Sequence, residues 1–374
     1  MKYFLVAGEA SGDLHASNLM KALKEADPGA EFRYMGGDLM AGVAPGMVLH
    51  YRETSFMFLD VLVHLRKILR NLGTIREAIR QWEPDAVIPV DYPGFNMRIA
   101  RFASDMGSRV FYFISPKVWA WKRRRVYRLK RFTRKLFVIL PFEVPFYRDF
   151  GMEVAYFGNP LVDGVRGFLE GFEGAERWKA SRGLDDRPVV ALLAGSREKE
   201  IQRTLPAMVL MAAEHPGYQF VVAGAPSIDP GFYETWLEGT DVGIVHGETY
   251  ALLASSFAGV VTSGTATLEA ALFGVPQVVV YRTGSMAYAI ARRIVKINFI
   301  SLVNLILDRG LVLEVIQHNL YPGAGAELSR ILEDPGYRER ILEGYRELGT
   351  LLGERGVAER IAAHMVELLQ KGKA

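Results

Sequence analysis

Short runs of apolar, often β-branched residues recur along the chain with helix-length segments between them. A first series comprises 2–7 (KYFLVA), 32–35, 86–90 (AVIPV), 109–114 (RVFYFI), 136–140 (LFVIL) and 154–157. After a charged stretch of helical pattern the series restarts at 188–194 (PVVALLA), 219–223 (QFVVA), 242–245, 259–262 (GVVT) and 277–281 (QVVVY). Runs without polar alternation predict strands covered on both faces, and their spacing predicts parallel strands in βαβ order. The fold class expected is α/β, with two Rossmann-like, doubly wound domains and a cleft between them. The break at 158–185 suggests domains over 1–164 and 165–345, with a helical segment over 346–374 that could return to the first domain. In open sheets of this kind ligands bind beyond the carboxyl ends of the strands, so the loops there are the places to search.

Composition narrows the picture. The chain has 374 residues, half of them hydrophobic, enough for two cores. A net charge of +3 is too small to imply a polyanionic partner by itself. The absence of cysteine excludes disulfides, thiolate-bound zinc and a cysteine nucleophile, and fits a reducing cytoplasm. The start, MKYFLVAGEASGD, enters a loop motif after a short apolar run and reads as a first strand rather than a signal peptide. The apolar stretch 56–65 is interrupted by Asp60 and His64 and falls short of the ~20 residues a spanning helix needs. The expectation is a protein that does not cross a membrane but can lie on one.

Three constellations stand in the first half. Gly8-Glu9-Ala10-Ser11-Gly12-Asp13 follows the first strand, and its glycines permit a tight turn with exposed amides at a helix start. A simple helix cap by Ser11 or Asp13 explains it equally well. Asp91-Tyr92-Pro93-Gly94-Phe95-Asn96 follows the run AVIPV, where a carboxylate can accept a proton from an attacking hydroxyl, or merely close an Asx turn. The third, Ser115-Pro116-Lys117-Val118-Trp119-Ala120-Trp121, leads into a basic run. Residues 117–135 hold ten Lys or Arg and no acid, interleaved with Trp119, Trp121, Tyr127 and Phe132. Cations among aromatics suit a membrane interface or a phosphorylated lipid; nucleic acid and a plain solvated face are the competing readings. Two neighbours fit the membrane reading: 56–70, with Phe56, Met57, Phe58, Leu59, Leu62, Leu65, Arg66, Lys67 and Arg70, and 286–296, with Arg292, Arg293 and Lys296. Each could equally be a buried helix with a basic end.

The second half carries two loops suited to an anion. Gly195-Ser196-Arg197 follows VVALLA at a helix start, where an arginine can clamp a diphosphate. Thr262-Ser263-Gly264-Thr265-Ala266-Thr267-Leu268-Glu269 follows GVV, an amide-rich phosphate cradle with Glu269 in reach of ribose hydroxyls. No Walker lysine motif and no clustered carboxylate metal site appear, so neither a metal nor a cofactor is expected.

LVAGEASGD (5–13), VDYPGFN (90–96), SPKVWAWK (115–122), LPFE (140–143), FGNP (157–160), AGSREKEI (194–201), TSGTATLEA (262–270) and SLVNL (301–305) together closely resemble the lipid A disaccharide synthase family. The resemblance covers nearly the whole chain. It implies the two-domain GT-B glycosyltransferase fold and metal-free, inverting transfer of 2,3-diacylglucosamine from UDP to 2,3-diacylglucosamine 1-phosphate (lipid X), forming a β-1',6 bond. By resemblance Asp91 matches the candidate base, and Glu9 and Asp13 the glycine-rich loop of the active site. Ser196, Arg197, Ser263, Gly264, Thr265, Ala266, Thr267, Glu269 and Asn304 match the UDP-binding side. Trp119, Trp121, Lys122, Arg123, Arg124 and Arg125 are the expected membrane and acceptor surface, at the cytoplasmic side of the inner membrane, without nucleic acid; a homodimer stays open.

The chain departs from the family at three positions. Gly94 stands where many members carry a second acid, Ala194 where they have proline, and Asn159 where a histidine is common. Gly94 leaves Asp91 as the only carboxylate of its loop, which favours a single-base inversion. The alternatives are a UDP-N-acetylglucosamine 2-epimerase-like enzyme, which needs no lipid acceptor, and a basic nucleic-acid-binding protein, which would show steeply salt-dependent binding.

Overall fold

The computed structural model describes residues 1–53, 65–294 and 297–371. The segments 54–64, 295–296 and 372–374 lie outside the described residues, and with them most of the apolar stretch 56–65, including Phe56, Met57, Phe58, Leu59 and Leu62, as well as Lys296. The chain forms two compact units, Met1–Pro160 with the segment from Glu354 onward, and Leu161–Gly353.

Among the described residues the front unit holds seven strands: β1 (Lys2–Ala7), β2 (Glu31–Gly36), β3 (Met47–His50), β4 (Ala86–Val90), β5 (Arg109–Phe113), β6 (Lys135–Val138) and β7 (Ala155–Tyr156). They lie in the order β3-β2-β1-β4-β5-β6-β7, all parallel. Every residue of β4 is buried, which is why the run AVIPV shows no alternation. The helix Ala10–Ala26 turns Ala16, Leu19, Met20 and Leu23 inward at helical spacing. On that face lies the helix Val357–Gln370, whose Ile361, Met365 and Leu369 belong to the same core. The last helix therefore completes the first unit.

The rear unit adds β8 (Val189–Leu193), β9 (Gln219–Gly224), β10 (Gly243–His246), β11 (Ser256–Thr262), β12 (Gln277–Tyr281) and β13 (Glu314–Ile316). Their order is β10-β9-β8-β11-β12-β13, again all parallel. β3 and β13 were not expected from the sequence: both are short edge strands, and β3 is only half-buried.

Register decides which loops become neighbours. Ala7 of β1 pairs with Val90 of β4, and Val90 with Phe113 of β5. The loops after residues 7, 90 and 113 therefore leave one carboxyl edge together, at the point where strand order reverses. In the rear unit Leu193 of β8 pairs with Val261 of β11, which sets the loops after 193 and 262 side by side at the corresponding reversal.

Among the described residues no helix is long and apolar enough to cross a membrane.

Candidate functional site

Asp91 is the first residue beyond β4, and its backbone is left-handed (φ 44°), as is that of Tyr92 (φ 45°). Ile114, directly after β5, is also left-handed (φ 61°), a true outlier for a β-branched residue. Such conformations cost about 1–3 kcal/mol each and persist only where the surroundings hold them. Here the Asp91 amide donates to the Phe113 carbonyl at 3.0 Å. The Asp91 carbonyl accepts from the Tyr112 hydroxyl at 2.7 Å and from Asn96 Nδ2 at 2.9 Å. Asn96 Nδ2 also reaches the carbonyls of Val6 and Val90, so one buried amide ties the ends of β1 and β4 to the turn. The backbone of Asp91 is thus pinned while its carboxylate enters a pocket of about 240 Å³.

Glu9, Tyr92, Lys117, Trp121, Lys122 and Arg125 share that pocket. Burial raises the Asp91 pKa to about 6; Lys117 opposes the rise, Glu9 adds to it, and the Tyr92 amide opposes it. A carboxylate with a pKa near neutrality is suited to take a proton from a hydroxyl. Gly8 is required beside it: a Cβ there would lie 2.3 Å from the Tyr92 ring.

Asp13 has another task. It is 3% exposed, and its oxygens accept the amides of Gly37 (2.7 Å), Leu39 (3.1 Å) and Met40 (3.3 Å). It fixes the turn after β2 and is not a free base. Trp119 likewise departs from expectation. It is 8% exposed and packs edge-on against Phe142, with ring centroids 5.0 Å apart, so it is core rather than membrane surface. Trp121 is 40% exposed and carries Lys122 Nζ 4.0 Å and the Arg125 guanidinium 5.8 Å from its ring centre. Lys122, Arg123 and Arg124 are exposed.

Sequence reasoning missed a second buried carboxyl behind this edge. Glu143 accepts the amides of Ile139 and Leu140 (3.3 and 3.1 Å), and burial, its largest influence, raises its pKa to about 7. Beside it Ser115 and Tyr147 share a 2.5 Å hydroxyl contact. These residues hold the loops that follow β5 and β6. Their signal was the polar SP and FE following apolar strand ends.

In the rear unit Gly195 is left-handed (φ 112°), and a Cβ there would meet the Glu200 side chain at 2.7 Å. Glu200 accepts the Ser196 amide at 3.1 Å and pairs with Arg197 at 3.3 Å, holding the loop open with Arg197 exposed. In the neighbouring loop the amides of Gly264, Thr265 and Ala266 have no protein acceptor among the described residues. Ser263 Oγ donates to the Ile300 carbonyl at 2.8 Å, and buried Thr267 donates to the Gly264 carbonyl at 2.8 Å. Asn304 is 1% exposed; its side chain bonds Val312, Glu314 and the Leu311 amide. Thr267 and Asn304 are buried, and their side chains bond within the loops they shape. Glu269 accepts from Tyr250 at 3.1 Å; burial raises its pKa and Tyr250 opposes the rise. Tyr250 had no sequence signal.

A larger apolar cavity of about 370 Å³ lies between the helices Leu161–Gly171 and Pro335–Leu352. None of the strand-end loops lines it. The chemistry sits elsewhere.

The family described as Lipid-A-disaccharide synthetase matches residues 3–334. Lipid-A-disaccharide synthases of Myxococcus xanthus and Geobacter sulfurreducens are 40% and 36% identical to the chain, covering 100% and 99% of it and 98% of each relative. Among solved structures, the UDP-GlcNAc 2-epimerase of Neisseria meningitidis bound to UDP-GlcNAc superposes with a TM-score of 0.65 at 14% identity, over 99% of this chain and 100% of that one. The glycotransferase of kitacinnamycin gives 0.64 at 17% identity, over 98% of both chains. At such identity these two likenesses speak to the fold alone, which is of the GT-B class.

Proposed function

Because this chain belongs to the lipid-A-disaccharide synthetase family, and so joins UDP-2,3-diacylglucosamine to 2,3-diacylglucosamine 1-phosphate, we propose that Asp91 is the base of the transfer. The observation that carries the assignment is a half-buried carboxylate with a pKa of about 6, aimed into a pocket at the strand-order reversal on a backbone held in a strained conformation. The acceptor's 6-hydroxyl gives its proton to Asp91 as its oxygen attacks the anomeric carbon of the donor sugar. The bond from that carbon to the UDP oxygen breaks, the electron pair leaves with UDP, and the centre inverts. Glu9 is not the base in this scheme. It raises the proton affinity of Asp91 as a neighbouring negative charge.

UDP is assigned to the rear unit. Arg197 and the open amides of Gly264, Thr265 and Ala266 take the diphosphate, where fixed donors stabilise the charge of the leaving group by about 3 kcal/mol each. Ser196 adds a hydroxyl, and Glu269, steadied by Tyr250, takes the ribose. Ser263, Thr267 and Asn304 hold the loop in shape.

The acyl chains of both substrates are too apolar to cross water freely, so the enzyme works as a peripheral protein on the cytoplasmic face of the inner membrane. Exposed Trp121, Arg123 and Arg124, in a run without a single acid, suit an anionic lipid surface.

Mass spectrometry of product made from UDP-diacylglucosamine and lipid X tests the assignment. Asp91→Asn should abolish transfer while UDP affinity by calorimetry survives. Near-normal turnover in that variant removes Asp91 as the base.

A further inference from the structure

We propose that the pocket at Asp91 is also the subsite for the acceptor's anomeric phosphate, held by Lys117, Lys122 and Arg125 with the sugar ring against Trp121. The inference deepens the reading of Asp91 as base and rests on it for the orientation of the acceptor.

The pocket has two chemically opposite sides. Glu9 and Asp91 supply its acid, and Lys117, Lys122 and Arg125 its cations. None of the three cations makes an ion pair among the described residues, whereas Arg182, Arg309 and Arg346 each find a carboxylate within 2.7 Å. Three cations facing two carboxylates leave this small pocket with an excess of positive charge, which an incoming anion neutralises. The positions are held from behind. Pro116 and Val118, flanking Lys117, are buried, and Arg125 leads into a helix anchored by buried Val126 and Leu129. Arg125 also acts electrostatically on buried Tyr112, whose hydroxyl holds the Asp91 carbonyl, so it stands close behind the base.

The acceptor's chemistry matches both sides. A glucosamine 1-phosphate carries its phosphate on C1 and its attacking 6-hydroxyl on the exocyclic carbon of C5, the two ring positions that flank the ring oxygen, so one pocket can hold both groups. With the hydroxyl at Asp91, the phosphate meets the cations. Trp121, already carrying Lys122 and Arg125 near its ring, offers a flat wall for the sugar. The basic run thereby divides. Arg123 and Arg124 do not line the pocket, and Arg123 lies over Phe146 instead.

The phosphate is unchanged by the reaction, so these contacts bind ground and transition state alike and appear mainly in KM. The test compares lipid X with 2,3-diacylglucosamine lacking the phosphate, in neutral detergent micelles, for wild type, Lys122→Gln and Lys122→Gln/Arg125→Gln. Wild type should prefer the phosphorylated acceptor in kcat/KM, and the double variant should lose about 10- to 100-fold of that preference, chiefly by a higher KM for lipid X. The preference is a ratio within one preparation, so partial loss of folded enzyme cancels. An unchanged preference, or an equal fall with both acceptors as a membrane-docking role predicts, overturns the proposal. Failure of the base assignment looks different: Asp91→Asn would then turn over normally while the phosphate preference stood.

Discussion

The acid limb of the pH profile follows from the surroundings of Asp91. Its pKa rises from the ordinary 3.8 to about 6, so keeping it ionised in the empty site costs about 3 kcal/mol. A raised carboxyl pKa means that the base form is present above the shifted value and is lost as pH falls through it. The kcat/KM for lipid X, which reports the enzyme before lipid X binds, should therefore fall about tenfold per pH unit below roughly pH 6. Two neighbours move this limb in opposite directions. Lys117 favours the ionised form, so Lys117→Met shifts the limb to higher pH. It is solvent-exposed and makes no ion pair with Asp91, so screening holds its effect to about 1 kcal/mol, or roughly half to one pH unit. Glu9 favours the protonated form, so Glu9→Gln shifts the limb to lower pH. Rates at saturating UDP-diacylglucosamine between about pH 4 and 8 measure all three enzymes. Superimposable limbs, or a wild-type rate flat down to about pH 4.5, would refute the assignment of the limb to this carboxyl.

Three further outcomes follow from the same geometry. Gly8→Ala drives a methyl group toward the Tyr92 ring, so turnover should drop and urea stability fall by about 1–3 kcal/mol; unchanged values for both would deny the close approach. Arg197→Ala should weaken UDP binding about 10- to 100-fold by calorimetry, with thermal stability nearly unchanged because its pairing with Glu200 is exposed. Wild-type UDP affinity would free Arg197 of that role. Arg123→Gln/Arg124→Gln should reduce co-sedimentation with anionic vesicles and leave binding to neutral ones alike, and equal sedimentation would return these residues to a solvated face.

Much of this architecture is legible in the sequence because parallel strands covered on both faces leave uninterrupted apolar runs. β1, β4, β8 and β12 declare themselves in that way. β3 and β13 do not, since a strand of three or four residues at a sheet edge buries too little to imprint a pattern. The loops at the carboxyl edges could be located from the strand ends, but not the direction of each side chain. Asp13 and Glu9 sit four residues apart in one motif, yet one caps a distant turn and the other faces the pocket. Trp119 and Trp121 are two residues apart in an irregular loop without period, so nothing in the sequence distinguishes the core ring from the exposed one. Asn304 and Thr267 look like ligand-binding polar residues, and only the hydrogen bonds reveal them as loop supports. Lys117 stands in a recognisable motif, but its influence on Asp91 passes through space.

The placement of the helix Val357–Gln370 has a consequence for biosynthesis. Domains ordinarily mature in the order of translation. Here the first unit still lacks Ile361, Met365 and Leu369 against Leu19 and Met20 until the second unit has been synthesised. The second unit of the nascent chain can therefore settle first, while the unit bearing Asp91 waits with an uncovered greasy face. A nonsense codon shortly before residue 357 would remove no reactive group, yet it should leave that unit as prey for chaperones and proteases.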